Sequence, residues 1–217
     1  MDQDLELVAE AGVLTPSIPW DIGARTQQQR IFEAMAKSCA EKTFSGTTIA
    51  DIVGHASISR ATFYKHFPNK RECFYATVEA FLSELQGDAA DARATSDGSH
   101  SDSVRKVITA IVERLDAEPD RAKLLLVEAI VVDPEIVGRY RKLVLRALKP
   151  RQKTAKETDR VCADPQMAFG SAMVLVAGHL GSGQAKGLAS LLPELIYIAL
   201  LPYAGQDMAL AQARLGR

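Results

Sequence analysis

The sequence predicts an all-α protein. Apolar residues recur at intervals of three and four along most of the 217-residue chain, which is the spacing of a helix face. No stretch alternates apolar and polar residues over the length of a strand, and the sole Asp-Gly pair, a common hairpin turn, lies in a polar linker at Asp97 and Gly98. With 47% hydrophobic and 24% charged residues, the composition is that of a globular protein.

Residues 25–72 are predicted to form three short helices with recognisable caps. A capping box at Thr26 predicts the start of the first helix, and a second box, Thr48 with Asp51, predicts the start of the next. After a three-residue turn, Ser59 is the expected N-cap of the third helix. Two short helices joined by such a turn are typical of a helix-turn-helix, whose second helix can enter the major groove of DNA.

Residues 73–217 are predicted to form a second helical domain. A fourth helix begins after Asn69, and a polar linker at residues 95–103 separates it from the helices that follow. The apolar run at residues 124–132 predicts a buried helix, and residues 188–215 predict a long final one. Further helix starts are predicted at three prolines: Pro119, Pro134 and Pro165.

Charge is unevenly distributed along the chain, although the net formal charge is only -1. Residues 1–24 carry five acidic and no basic side chains, which predicts a flexible acidic extension. Residues 25–72 carry eight basic and four acidic side chains, a local balance of +4. The predicted helix-turn-helix is therefore the segment in which a polyanion would bind.

Several classes of protein are disfavoured by the sequence. The three cysteines are widely spaced and form no C-x-x-C pair, so we expect a reducing, cytoplasmic compartment and no cysteine metal site. Residues 165–185 lack charged side chains but contain four glycines and several polar residues, which favours a buried or interface helix over a membrane span. We expect neither a signal peptide nor contact with a membrane.

The third helix is predicted to present a polar face. Phe63 and Phe67 are four residues apart, and two aromatic side chains at this spacing need burial on one side of a helix. Four side chains are then expected on the exposed side: Arg60, Ala61, Tyr64 and Lys65. Such an arginine can bind a guanine edge and the alanine a thymine methyl group, whereas the tyrosine and lysine can reach phosphates. The alternative is a structural bundle with a solvated basic face.

A set of short motifs runs through residues 25–85. It comprises Arg30-Ile31-Phe32, Asp51-Ile52-Val53 and above all TFYKHF at residues 62–67, followed by Asn69-Lys70. These motifs resemble the TetR/AcrR-type family of one-component transcriptional regulators, except that Ser57 stands in the turn where the family usually has glycine. The resemblance implies a DNA-binding domain in which ten residues lie on or near DNA: Thr47, Thr48, Ser59, Arg60, Ala61, Thr62, Tyr64, Lys65, His66 and Lys70.

The resemblance also implies a C-terminal helical domain for ligand binding and dimerisation. A homodimer is expected through residues 164–180, which are rich in small side chains, and residues 188–215, which carry apolar stripes. A small apolar effector is expected within residues 104–180, where the available side chains are mostly aliphatic. Three polar residues are candidate ligand contacts, although such residues are more often satisfied in the core: Glu128, Tyr140 and His179.

The resulting hypothesis is a repressor that binds a palindromic double-stranded DNA operator as a homodimer and is released by a small apolar effector. The alternatives are a ligand-independent architectural DNA-binding protein and a helical enzyme without a recognisable catalytic motif. The four histidines form no metal-binding cluster, and no nucleophile motif occurs in the sequence. We therefore expect no enzymatic activity, no metal and no cofactor.

Overall fold

The computed structural model describes residues 22–96, 99–148, 164–182 and 187–216, and the regular elements in these ranges are all helices. The all-α prediction is therefore confirmed. In chain order the α-helices are α1 Ile22–Gly46, α2 Ile49–Ala56, α3 Arg60–His66, α4 Lys70–Ala94, α5 His100–Ala117, α6 Pro119–Lys123, α7 Ala129–Val132, α8 Ile136–Leu148, α9 Pro165–Gly181, α10 Leu192–Ala204 and α11 Gln206–Leu215. A π-helix, Leu124–Glu128, joins α6 to α7, and a 3₁₀-helix, Leu188–Leu191, precedes α10. The acidic extension predicted for residues 1–24 lies, up to residue 21, outside the described residues.

The predicted caps of α2, α3 and α4 are confirmed, and the predicted start of α1 is wrong. Thr48 forms a full capping box at the start of α2, and Ser59 and Asn69 each accept a hydrogen bond from the backbone N–H three residues later. Helix α1 begins at Ile22, a turn before Thr26. The capping-box pattern at Thr26 is therefore inside a helix, because the residues before it continue the helical backbone.

Helix α4 connects the N-terminal helices to the rest of the molecule. It is continuous across the boundary predicted between residues 72 and 73 and ends at Ala94, where the predicted polar linker begins. Two ion pairs tie it to the helices that follow. The Arg114 guanidinium on α5 donates to both oxygens of Asp88 at 2.8 and 3.1 Å, and Arg121 on α6 donates to Glu84 at 2.8 Å.

The core of the C-terminal half is built on α5, α10 and the π-helix. Leu124, Ile136, Leu188 and Ile196 are fully buried. The burial of Leu124 agrees with the prediction of a buried helix for the first part of the apolar run at residues 124–132. Val131 departs from that prediction because its side chain is exposed. The Asp116 carboxylate on α5 accepts the N–H groups of residues 187 and 188 at 2.6 and 2.7 Å, which holds the start of the 3₁₀-helix against α5.

Two predicted helix boundaries in this half differ from the structure. Pro134 lies in a turn, and α8 begins two residues later at Ile136. The final helix predicted for residues 188–215 is interrupted at Gly205, whose φ of 78° is unfavourable for other residues, so α10 and α11 are separate. Among the described helices, none is both long and apolar enough to span a membrane.

Candidate DNA-binding site

Helix α3 is held in place by aromatic packing on its inner side. Phe63 is fully buried and Phe67, at the C-cap, is nearly so. The Phe67 ring lies 5.9 Å, centroid to centroid, from both Phe63 and Phe32 of α1. These ring contacts pack α3 against α1. The predicted inward face of α3 is confirmed.

The outer face of α3 carries the side chains that were expected there. Arg60, Ala61, Tyr64 and Lys65 are exposed, and the Tyr64 ring is 54% exposed despite its size. Thr62 and His66 are half-buried at the edge of this face, and the Thr62 hydroxyl lies 2.9 Å from that of Ser59. We call the four exposed residues the reading face. It combines two cations, a methyl group and a phenol over one short helix.

The turn between α2 and α3 contains Ser57 in the left-handed conformation, which favours glycine. Ser57 has φ 53° and ψ 48°, in the left-handed region, and its N–H donates to the Gly54 carbonyl at 3.2 Å. This conformation costs a non-glycine residue about 1 kcal/mol. Ser57 therefore adopts, at a cost in stability, a backbone conformation that glycine adopts more readily.

Thr48 is exposed at the start of α2, the helix that precedes α3 in the chain. Its N–H donates to the Asp51 carboxylate at 2.9 Å, and Asp51 also accepts from the Lys42 ammonium of α1 at 2.6 Å. The hydrogen bond from Lys42, followed by those from Thr48, holds the pKa of Asp51 well below its usual range. The Asp51 carboxylate thus links the start of α2 to α1.

Thr47 and Lys70, which were expected to lie on or near DNA, form hydrogen bonds within the N-terminal helices. Thr47 is only 2% exposed, and its hydroxyl donates to the Thr43 carbonyl at 2.7 Å. The Lys70 ammonium donates to the carbonyls of Phe44 and Thr47, both at 2.7 Å, and lies 4.3 Å from the centre of the Phe44 ring. Both side chains close the C-terminal end of α1, whose last carbonyls need donors.

A largely apolar cavity of about 160 Å³ lies in the C-terminal half. Its walls come from α5, the π-helix, α8, α9 and α10, and the Tyr203 phenol is the polar group among the lining residues. Representative lining residues are Ile111, Leu126, Val144, Phe169, Met173 and Leu195. The range expected from sequence, residues 104–180, contains the lining residues of α5, the π-helix, α8 and α9, whereas the contribution of α10 lies outside that range.

The three polar candidates for ligand contact are not part of this lining. The Glu128 carboxylate accepts the Phe44 N–H at 2.7 Å, and the Tyr140 hydroxyl donates to the Leu125 carbonyl at 2.9 Å. His179 lies beside Gly187. Buried polar side chains that bond to backbone groups, such as Glu128 and Tyr140, are indistinguishable in sequence from groups that face a ligand. In the described part of the chain, no cluster of His, Cys, Asp or Glu could hold a metal ion.

The fold and the reading face together define a helix-turn-helix protein with a second, all-helical domain. The sequence model described as "Bacterial regulatory proteins, tetR family" matches residues 31–77, which span α3 and the start of α4. This part of the chain is therefore similar to the N-terminal domain of TetR-family bacterial regulatory proteins, as its motifs suggested.

Two relatives match part of the chain. The uncharacterized HTH-type transcriptional regulator YezE of Bacillus subtilis (strain 168) is 30% identical over 105 residues, or 46% of this chain and 53% of the relative. The HTH-type transcriptional regulator CymR of Pseudomonas putida is 37% identical over 68 residues, or 28% and 34%. The match thus spans about half of one relative and about a third of the other.

Solved structures share the fold over most of the chain. A γ-butyrolactone receptor (ArpA-like protein) superposes with a TM-score of 0.68 at 16% identity, covering 90% of this chain and 98% of the receptor. The transcriptional regulator FadR from Bacillus subtilis, solved in complex with stearoyl-CoA, superposes with a TM-score of 0.60 at 14% identity, covering 82% and 98%. At these identities the similarity establishes the architecture alone.

Proposed function

We propose that this protein is a transcriptional repressor that binds a palindromic DNA operator as a homodimer. The observation that carries the proposal is the reading face. It presents Arg60 and Lys65 on the exposed side of α3, whose other side is packed in the core, and a helix of this kind can enter the major groove of DNA. The cytoplasm, where bacterial DNA is found, is the proposed location. No enzymatic activity is proposed.

The proposed contacts with DNA are of two kinds, those with bases and those with phosphates. Arg60 is proposed to bind a guanine edge and Ala61 a thymine methyl group, with Thr62 and His66 near the bases. Tyr64, Lys65, Thr48 and the cap residue Ser59 are proposed to contact phosphates, which orient the helix without reading sequence. Thr47 and Lys70 are proposed to support the domain from within, since both side chains are engaged by carbonyl groups of α1 and the residues after it.

The dimer is proposed to form through α9 and the last two helices, within residues 164–180 and 188–215. Met167, Val174 and Leu175 are exposed and repeat along one side of α9 at helical spacing. Leu175 also lines a groove with Leu210 of α11 and Tyr197 of α10. Exposed apolar residues on neighbouring helices favour a second copy of the chain as the partner, and two-fold symmetry suits a palindromic site.

The effector is proposed to be a small apolar molecule that occupies the cavity. The described lining offers aliphatic and aromatic carbon and, beyond the Tyr203 phenol, no group suited to a sugar or a nucleotide. The fold neighbour FadR was solved with stearoyl-CoA, which supports an apolar moiety as a ligand for this architecture. Helix α4, tied to α5 and α6 by Arg114 and Arg121, is proposed to carry the change to the reading face.

Selection of duplexes from a random pool tests the DNA-binding proposal. The purified protein is expected to enrich duplexes with two inverted half-sites about one helical turn, or a multiple of it, apart. Affinity for the enriched duplex should fall steeply as salt is raised, because phosphate contacts release counterions. A parallel selection with Tyr64→Ala/Lys65→Ala supplies the background. Equal recovery of all duplexes by both proteins would contradict the proposal.

A thermal-shift screen followed by DNA titration tests the effector. Toluene and 1-octanol are expected to raise the melting temperature and to weaken binding to the enriched duplex, whereas glucose and AMP should do neither. A coupling free energy of about 1–3 kcal/mol is typical of such switches. Stabilisation without any loss of DNA affinity would favour the alternative of a ligand-independent architectural DNA-binding protein.

A further inference from the structure

The C-terminal end of α1 contains a strained residue. Thr43 has φ 64° and ψ 166°, a combination that is almost confined to glycine. A β-branched side chain makes it still less favourable. Such a conformation persists only where the surrounding structure holds it. We call residues 40–47, which contain this strained turn, the joint.

Three charged side chains from later parts of the chain hold the joint through its backbone. The Glu128 carboxylate accepts the Phe44 N–H at 2.7 Å, while the Lys70 ammonium donates to the Phe44 and Thr47 carbonyls. The Lys123 ammonium donates to the Ala40 carbonyl at 2.6 Å. Both polar groups of Phe44, directly after the strained residue, are therefore engaged by charged side chains.

The charges converge on a buried region. Glu128 is 6% exposed. Burial raises the pKa of the nearby Cys39 thiol to about 11, with Glu128 adding to the rise and Lys70 opposing it, so both charged groups lie around the same thiol. Hydrogen bonds between charged groups and backbone are stronger than neutral ones, and burial strengthens them further.

Glu128, which accepts the hydrogen bond from the Phe44 N–H, belongs to the π-helix that forms part of the cavity wall. Glu128 is the last residue of the π-helix Leu124–Glu128, and Leu126 of the same π-helix is in the cavity wall. The Leu125 carbonyl of the same π-helix accepts a hydrogen bond from the Tyr140 hydroxyl. One five-residue segment therefore contacts both the cavity and the joint, and π-helical turns of this kind occur often at functional sites.

We propose that Glu128 is a positioning residue for DNA binding: it holds the strained joint so that the reading face is presented correctly, and the π-helix transmits changes in the cavity to it. The inference depends on the proposed DNA binding. It adds a second connection between the cavity and the reading face, besides the one proposed through α4. Displacement of Leu126 moves Glu128 away from Phe44. The joint then relaxes toward an unstrained backbone, and α2 and α3, which follow it, change orientation.

Binding to the enriched duplex tests this role with four variants. Glu128→Ala is expected to weaken binding at least about tenfold with an unchanged salt slope, because the phosphate contacts remain. Glu128→Gln, which keeps an oxygen acceptor, should stay within about threefold of wild type. Thr43→Gly combined with Glu128→Ala should recover most of the affinity, because glycine adopts this φ and ψ without help. Tyr140→Phe removes a buried hydrogen bond from the same π-helix and controls for stability: it should lower the melting temperature and leave DNA affinity unchanged.

Amide hydrogen exchange at Phe44 tests the link to the cavity. Exchange should be faster in Glu128→Ala and unchanged in Tyr140→Phe, each measured well below its melting temperature. Leu126→Phe adds volume inside the cavity on the π-helix, and we expect it to speed exchange at Phe44 and weaken DNA binding. Wild-type affinity in Glu128→Ala, no recovery by Thr43→Gly, or unchanged Phe44 exchange in Leu126→Phe would overturn the inference. Absence of DNA binding by the wild type would instead overturn the proposed function.

Discussion

Val174→Glu is expected to convert the proposed dimer into a monomer. Val174 is 73% exposed in the single chain, at the centre of the apolar row on α9. In a two-fold interface the new carboxylates of both copies would be buried near one another, and an unpaired buried charge is strongly unfavourable. Because a monomer loses the benefit of two linked half-sites, affinity for the palindromic duplex should fall by about 100- to 10,000-fold.

Val131→Glu is the matched control for this experiment. Val131 is exposed to 74%, almost the same fraction as Val174, but it lies on α7, outside the proposed interface. Light scattering at micromolar concentration should give a dimer mass for wild type and Val131→Glu, and a monomer mass for Val174→Glu. A stable wild-type monomer, or a dimer of Val174→Glu, would rule out the interface.

Arg60→Ala is expected to relax sequence discrimination at one base pair in each half-site. If the Arg60 guanidinium binds a guanine edge through two hydrogen bonds, its loss should remove about 1–3 kcal/mol of preference for that base over the others. Affinity should be measured for the enriched duplex and for duplexes with each substitution at every half-site position. The loss of preference should be confined to one position.

Two neighbouring experiments separate base reading from charge. Lys65→Ala, on the same exposed face of α3, should weaken all duplexes similarly and reduce the salt slope by about one, as expected for a phosphate contact. Arg146→Ala removes an exposed cation from α8 and should alter neither the affinity for the duplexes nor the salt slope. A uniform loss in Arg60→Ala, indistinguishable from that in Lys65→Ala, would assign Arg60 to the phosphate backbone.

The reading face could be predicted because its determinants are local. Phe63 and Phe67 define the buried side of α3 by spacing alone, and the caps Thr48, Ser59 and Asn69 act on backbone groups within three residues. The structure agrees with the sequence at each of these points. Interactions over so few residues are set by helix geometry and need no knowledge of the rest of the chain.

The contacts of Lys70 and Glu128 could not be predicted because their partners are backbone groups far away in sequence. Glu128 bonds to the N–H of Phe44, 84 positions away, and Lys70 to a carbonyl 26 positions away. Every residue has an N–H or a carbonyl, so the sequence contains no sign of which one a buried side chain meets. The same holds for the strain at Thr43, which no residue type in its neighbourhood indicates.

The sequence by itself determined the all-α class, the helix-turn-helix and the four residues of its exposed face, since these depend on periodicity and capping within single helices. Only the tertiary structure decided where the cavity lies and what holds the joint. The cavity walls come from five elements that span residues 107–203, and the joint is held by side chains from α4, α6 and the π-helix. Contacts between distant segments depend on how helices pack, and packing is a property of the whole chain.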